Sequence, residues 1–516
     1  MSSHLSALLV GLLLATIVYF LYNTGRRDRR LPPGPPTLPI LGNLHQIPKQ
    51  GVHFQFTEWA RQYGGIYALK LGTGTAAVIT DPRLVKQLLD RKSSKYAERP
   101  RSYVANLIAG GDHILLMDYG NQWRDTRKLF HSHFMEKMVE TEHIKVQEAE
   151  ARLYDVMEVW SKVMETGATP PVDIYPFLHW LPQRVFTNWI DRATHVRNEM
   201  NNLYADFLHD IRLRRNRVGN RGSFMDKVLD TAENEKRPEG LTFSDHELYF
   251  MGGTATEGGS DTSASIITAF VHAMAAHPDI QRKAQRQIDS VVGPDRSPTW
   301  QDFPRLPYIA QCVKETMRWR PVTPLAFPHA LAEDDWISTS PSSTSSPSSE
   351  KSPQYLLPKG TTIILNAWGM HHDSTRFPNP ETFDPDHYAS TTPTALSTDL
   401  ANGPWEKRDH YGYGAGRRFC PGAHLAERNL FLAMAKLLWG YNILPGKRDR
   451  EGQLADLDPD LDPRTGYSAG FLVCAKDFEA NFEVRGRERE ATIRREFEEA
   501  QGEVFGRFEA CGEERA

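Results

Sequence analysis

Cysteine is scarce in this chain: four in 516 residues, at positions 312, 420, 474 and 511. Their wide spacing excludes a disulfide framework and offers no pair at zinc-ligand spacing. A body that works in a reducing, cytosol-facing compartment fits that usage. An excess of either charge is missing as well. Lys and Arg number 61 against 65 Asp and Glu, for a net charge of -4, so nothing global argues for nucleic acid as a partner. Internal repeats are absent, and so is any flavin or nicotinamide motif. The length is sufficient for one large core or for several domains.

The N-terminus carries an uncharged, mostly apolar run from Leu5 to Tyr22, followed by Arg26, Arg27, Arg29 and Arg30. As a helix the run would be about 27 Å long, close to the roughly 30 Å of a bilayer core. The basic cluster should stay cytosolic, which puts Met1 on the lumenal side. A cleaved signal peptide is the rival. It needs a basic region before the run and a small-residue cleavage site after it, and neither is clear. Residues 1–30 are thus expected to form a membrane anchor with its basic flank. The proline-rich stretch Leu31-Pro32-Pro33-Gly34-Pro35-Pro36 follows as a stiff, non-helical connector.

Chemistry concentrates in Tyr413-Gly414-Ala415-Gly416-Arg417-Arg418-Phe419-Cys420-Pro421-Gly422. Three glycines in ten residues suit a backbone that turns tightly and lies close to something flat. The next residues, Ala423 to Leu438, carry strong helix formers and an apolar stripe at helical spacing. Pro421 suits the first helical position, which would set Cys420 where helix amides are unpaired. Those amides favour a thiolate over a thiol. A thiolate on a rigid loop is a ligand or a nucleophile, and the neighbouring arginines suit an anionic cofactor edge.

Other sites stand further upstream. Trp123 and Arg127 are four residues apart, so on a helix they share a face, and an indole donor beside a guanidinium suits a carboxylate. Ser244 with Glu247 fits a capping box that opens a long helical pattern. Inside that pattern lies Gly258-Gly259-Ser260-Asp261-Thr262-Ser263. Each interior glycine costs about 1 kcal/mol relative to alanine, so close approach of a flat ligand, a widened turn or a tight helix crossing is expected there. An acid beside a hydroxyl can relay protons through one or two waters. Glu315 and Arg318, three apart, form a candidate ion pair on another helix. The run Arg212, Arg214, Arg215, Arg217 and Arg221 reads as a solvated helix face, with anionic lipid as the alternative.

Gly416, Arg418, Cys420 and Gly422 match in register the haem-binding signature of the cytochrome P-450 superfamily, Phe-x-x-Gly-x-Arg-x-Cys-x-Gly, with Tyr413 in place of the Phe. The chain resembles that family from residue 31 to about 484, with the motifs in the family's order. The likeness implies a mainly α-helical, triangular body with small β-sheets and haem b between the long central helix and the cysteine loop. Cys420 would be the axial ligand of the iron, and Trp123, Arg127, Arg418 and His329 would hold the cofactor. Asp261-Thr262 resembles the oxygen-binding motif and is expected to deliver protons. Glu315 and Arg318 match the Glu-x-x-Arg scaffold pair, and His387 stands where the family usually supplies Arg, so its charge would depend on pH.

The reaction implied is insertion of one atom of O2 into a small hydrophobic substrate, promoted by thiolate donation. NADPH-derived electrons would come from a separate NADPH-cytochrome P-450 reductase, with cytochrome b5 as a further donor. Arg124, Lys128 and Arg417 are expected to face the reductase. The place implied is the endoplasmic reticulum membrane, with a single pass and a cytosolic catalytic domain. In style the chain is similar to fungal members that tailor secondary metabolites. The expected substrate is a small aromatic polyketide such as a methylphenol, with a terpenoid or alkaloid as alternatives. Haem-thiolate isomerases and dehydratases share the fold, and a degenerate membrane haem binder is the non-enzymatic rival.

Residues 99–122 and about 185–225 should shape the pocket entrance, as should 322–329 and 466–471. The tract from Ser338 to Pro353 is low-complexity Ser and Pro and is expected to be an insertion that splits a hairpin. The charged stretch 485–516 reads as a helical tail.

Overall fold

The computed structural model describes residues 2–134, 151–164, 169–233, 243–339, 353–390, 394–446 and 458–501. Cys511 and most of the Ser/Pro tract lie outside them. The body is mainly helical, with one four-stranded sheet and two two-stranded sheets among the described residues. The capping box at Ser244–Glu247 starts the longest helix, Asp245–Ala276, hereafter the central helix. It packs against the helix that follows the cysteine loop, Ala423–Gly440, and against Pro307–Trp319. Ile266, Phe270, Met274, Cys312, Met317, Leu430 and Met434 fill the core between these three.

Strands β1 (Ile66–Leu71) and β2 (Gly74–Ile79) form the expected hairpin, with Ile66 opposite Ile79. β3 is His329–Ala330, and β4 (Asp335–Ser338) pairs antiparallel with β5 (Gln354–Leu357). β6 (Thr362–Leu365) lies parallel to β2 and antiparallel to β3, giving the order β1-β2-β6-β3. β7 (Tyr441–Pro445) pairs with β8 (Ala480–Val484). The Ser/Pro tract therefore does split a hairpin, and Thr339 N–H donates to the Pro353 carbonyl at 3.3 Å where the two ends meet.

Two expectations change on contact with neighbours. The arginine run, most of it on helix Trp189–Val218, is only partly a solvated face: Arg212 and Arg217 keep substantial exposure, while Arg214 and Arg215 turn to acids. Arg214 grips the buried Asp226 through both nitrogens at 2.9 and 2.7 Å, Arg215 bridges Asp226 and Asp230, and Arg212 pairs with Asp245 at 2.7 Å. The charged C-terminal stretch includes helix Arg487–Ala500, which is docked: Arg485 and Arg489 both reach Asp289 at 2.7 Å, and Thr492 donates to the Pro294 carbonyl. At the other end the helix Ser2–Asn23 is present, with Leu8, Leu9, Leu12 and Leu13 exposed. The side chains at 1–7, 14, 17, 20 and 21 fall outside the described set. Among the described residues, no helix is long and apolar enough to cross a membrane.

The Glu315–Arg318 pair is fully buried and bidentate, at 2.7 Å on both arms. Arg318 spends its remaining N–H groups on the carbonyls of His371, Pro380 and Thr382. His387 joins them: Nδ1 lies 3.2 Å from Glu315 and Nε2 lies 2.7 Å from the Pro378 carbonyl. Both partners can only accept, so the ring satisfies both only when doubly protonated. Burial lowers its affinity for that proton, but the hydrogen bond and charge of Glu315 outweigh burial and raise the pKa above the usual 6.5.

A raised folded-state pKa means that the stabilisation is complete below the unfolded value of about 6.5 and is lost as pH rises through the folded value. His387→Gln is expected to lose about 1–3 kcal/mol at pH 6 and to show no pH dependence from this site. His387→Arg should keep the wild-type stability to higher pH. Urea unfolding across that range checks both, and parallel profiles for wild type and His387→Gln would refute the assignment.

Candidate active site

The cysteine loop is fixed by its backbone before any side chain acts. Gly416 has φ +64°, and a Cβ there would lie 2.0 Å from the Leu89 carbonyl oxygen, so only glycine fits. Its N–H donates to Asp90 at 2.8 Å. Cys420 N–H donates to the Tyr413 carbonyl at 2.9 Å, which closes the loop. The helix begins later than its sequence indicates. Gly422 is its cap and Ala423 its first residue, so Pro421 and Cys420 precede it. Burial pushes the Cys420 thiol up, while the Gly422 N–H and the Arg127 charge oppose that shift. The helix-end effect therefore acts in the expected direction and is outweighed by desolvation.

Around the loop stand three desolvated guanidiniums. Arg127, from helix Asn121–Phe134, donates to the Phe419 carbonyl. Arg418 donates to the carbonyls of Ala97, Ile114 and Met117 and lies 4.3 Å over the Trp123 ring. Arg99 donates to the carbonyls of Leu115, Phe327 and Pro328. Burial lowers all three, Arg99 to about 9 and Arg418 to about 10. Among the described residues none of them makes an ion pair. The Trp123 indole shares the helix face of Arg127 as its spacing indicates, and it is buried.

His329 lies in β3 beside Arg99. Burial and the Arg99 charge lower its pKa to about 3, so the ring is neutral. Its Nδ1 donates to the Tyr96 carbonyl at 2.7 Å, which leaves Nε2 as an acceptor. A carboxylate at that nitrogen would have to bring a proton with it. The pocket edge is completed by Phe327, whose ring meets Phe471 edge-on at 4.8 Å, and by Val473 N–H donating to the Val322 carbonyl.

On the central helix, Gly258 is exposed although it is mid-helix, and a Cβ there would meet no atom within 4 Å. The turn is regular α-helix, with no widening. The tight helix crossing is elsewhere, at Gly253, where a Cβ would lie 2.3 Å from the Tyr204 ring. Thr262 Oγ1 donates to the Gly258 carbonyl at 2.7 Å, so its lone pairs remain to accept. Burial first, then the Glu257 charge, raises the Asp261 pKa. Tyr413, the departure in the loop, buries its hydroxyl without a hydrogen-bond partner among the described residues. Burial and the charges of Glu427 and Cys420 push it well above the usual 10, so it stays a phenol.

Desolvated cations with no ion-pair partner among the described residues, a half-buried thiol at the end of a rigid loop, and a glycine facing open space fit a flat, anionic, thiolate-ligated group. Sequence reasoning missed Arg99 and the Glu257 side chain. Only their partners, distant in the chain, mark them.

The comparisons agree with this geometry. The Cytochrome P450 family profile matches residues 32–154 and 143–455. The cytochrome P450 monooxygenase patH of Penicillium expansum is 46% identical over 98% of this chain and 99% of its own length. The monooxygenase yanC of Aspergillus niger is 44% identical with the same coverage. A zebrafish cytochrome P450 solved with abiraterone shares the fold, at a TM-score of 0.60, 22% identity, and coverage of 84% of this chain and 100% of that one. Identity of that extent from end to end, in a chain whose loop and buried cations suit a haem, makes this a member of the cytochrome P450 family and a haem-dependent monooxygenase.

Proposed function

We propose that this monooxygenase hydroxylates a small aromatic polyketide such as a methylphenol in fungal secondary metabolism, at the endoplasmic reticulum membrane. The observation that carries the site assignment is Cys420, closed into its loop by Tyr413 and flanked by Arg127. Haem iron, when bound, supplies the oxidation chemistry that uses O2. Cys420 would hold it through its sulfur, and Arg99, Arg127, Arg418 and Trp123 would hold its carboxylates. Phe327 and Phe471 support a flat apolar substrate, since their edge-on pair presents aromatic surface at the pocket edge. Asp261 would hold a proton on its carboxyl, and Thr262 would accept a hydrogen bond from the water or oxygen that receives it.

Electrons would arrive from NADPH through a separate reductase, with cytochrome b5 as a second donor. The docking face would be the cationic surface around Tyr119, where Arg124 and Arg417 stack on the ring at 5.5 and 5.3 Å and Lys128 is 80% exposed. Membrane attachment is supported by an exposed apolar patch. Phe177, Trp180, Leu181 and Val185 are exposed, and Tyr175 donates to the Ile40 carbonyl, tying this segment to exposed Leu38, Ile40 and Leu41. Thr24, at the end of the N-terminal helix, accepts from Ile40 N–H, so the patch is continuous with the proposed anchor.

Three outcomes test this reading. Cys420→Ala should abolish the red-shifted Soret band of the reduced carbon monoxide complex; a wild-type band would overturn the ligand assignment. Thr262→Ala should divert electrons to peroxide, measured as the ratio of product to NADPH consumed, and an unchanged ratio would remove Thr262 from proton delivery. A chain lacking residues 1–30 should still float with phospholipid vesicles and lose that binding in Trp180→Ser with Phe177→Ser. Flotation unaffected by the double substitution would remove the patch from the membrane surface.

A further inference from the structure

Glu257 is one turn before Asp261 on the central helix, at the edge of the face that carries Gly258 and Thr262. Its Oε2 is held twice: His113 Nε2 lies 3.0 Å away, and the Tyr204 hydroxyl donates at 3.1 Å. These partners come from separate parts of the chain. His113 follows helix Tyr103–Ala109 and is 2% exposed at its side chain, while Tyr204 is on helix Trp189–Val218 and is fully buried. The close crossing at Gly253 presses the Tyr204 ring onto the central helix and so fixes the hydroxyl at Glu257. Asp261 has no hydrogen-bond partner for its carboxyl among the described residues. A structural tether would need neither a carboxylate at 257 nor its placement beside a second acid.

We propose that Glu257, clamped by His113 and Tyr204, is a positioning residue that keeps Asp261 loaded with its proton. The inference rests on the reading that Asp261 delivers protons. When Asp261 gives its proton to the acceptor beside Thr262, two carboxylates stand one turn apart on one helix face. Like charges at that spacing repel, so uptake of a proton from water by Asp261 is favoured over persistence of the dianion. Each proton that Asp261 gives up is replaced by one from water, and Glu257 itself stays unchanged. Among the described residues, the ionisable groups around Asp261 are Glu257 on its own helix and Tyr204 from the crossing helix, with His113 behind Glu257. Tyr204 stays a neutral phenol because burial and the Glu257 charge both push it up. Glu257 is therefore the anion that Asp261 meets.

The test uses the full-length, haem-loaded protein. Glu257→Gln keeps an acceptor for His113 and Tyr204 but removes the charge, and Glu257→Asp keeps the charge. The Asp261 carboxyl is titrated by infrared difference spectroscopy, its protonated C=O band identified by its loss in Asp261→Asn. Coupling of NADPH use to product is followed across the same pH range. In Glu257→Gln the band should vanish at lower pH than in wild type and the loss of coupling should begin at correspondingly lower pH, whereas Glu257→Asp, which keeps the charge on a shorter side chain, should shift both less. An unmoved titration in Glu257→Gln would overturn the proposal. If Glu257→Gln does not load haem, Tyr204→Phe with His113→Gln frees the carboxylate while keeping it. The Asp261 band should then broaden or shift, and a wild-type titration would again overturn the idea. Unchanged coupling in Asp261→Asn would instead defeat the underlying proton-delivery reading.

Discussion

Arg318 sits in the interior with every N–H accepted, two by Glu315 and the rest by carbonyls of residues 371, 380 and 382. A guanidinium so placed has no route to water, so the segments that supply those carbonyls must stay where they are. From there the constraint passes to the cysteine loop. The His371 carbonyl accepts from Arg318, and the same residue's Nε2 accepts from Tyr411 N–H at 2.8 Å, two residues before Tyr413. Helix Pro307–Trp319 thus helps to set the position of the cysteine loop. Lys314 adds a second line on the same helix, through the Ala395 carbonyl and Asp409 at 3.4 Å.

The loop lies in a region where electrostatics and solvation oppose each other. Burial disfavours the charge on Arg99, Arg127 and Arg418, and it disfavours the thiolate on Cys420. Arg127 and Cys420 ease each other's charge, because opposite charges in a poorly solvated site attract strongly, whereas the neighbouring guanidiniums repel one another and so favour an anion among them. Neutral groups fill the remainder. Burial first, and then its cationic neighbours, keep His329 uncharged; burial and its anionic neighbours do the same for Tyr413.

Much of this was legible in the sequence because the relevant contacts are local or follow a fixed register. The glycines of the loop, the capping box at Ser244 and the pairing of Trp123 with Arg127 on one face all depend on a few neighbouring residues. What could not be read depends on partners far along the chain. Glu257 and His113 are 144 positions apart, and Arg99 meets carbonyls at 327 and 328. The glycines of the central helix look alike in sequence, yet Gly253 makes the crossing and Gly258 faces open space. Pro421 resembles a helix start, but the tight geometry between Tyr413 and Cys420 delays the helix to Ala423. The ion pairs of the arginine run escape a local reading for the same reason, since Asp226 and Asp245 sit on other helices.

The split hairpin carries a separate implication for how such a chain can change. Thr339 and Pro353 are joined by a hydrogen bond at the open end of β4 and β5, and that pair is anchored where Lys92 and Tyr96 hold Asp335 at 2.7 and 2.9 Å. Closing a loop costs free energy that grows only with the logarithm of its length, about 0.6 kcal/mol per doubling. Residues gained or lost between those two positions therefore leave the strands in register. Between these strands a gene can absorb codons, or an experimenter can splice in a tag or a reporter domain, while the pairing of β4 with β5 holds.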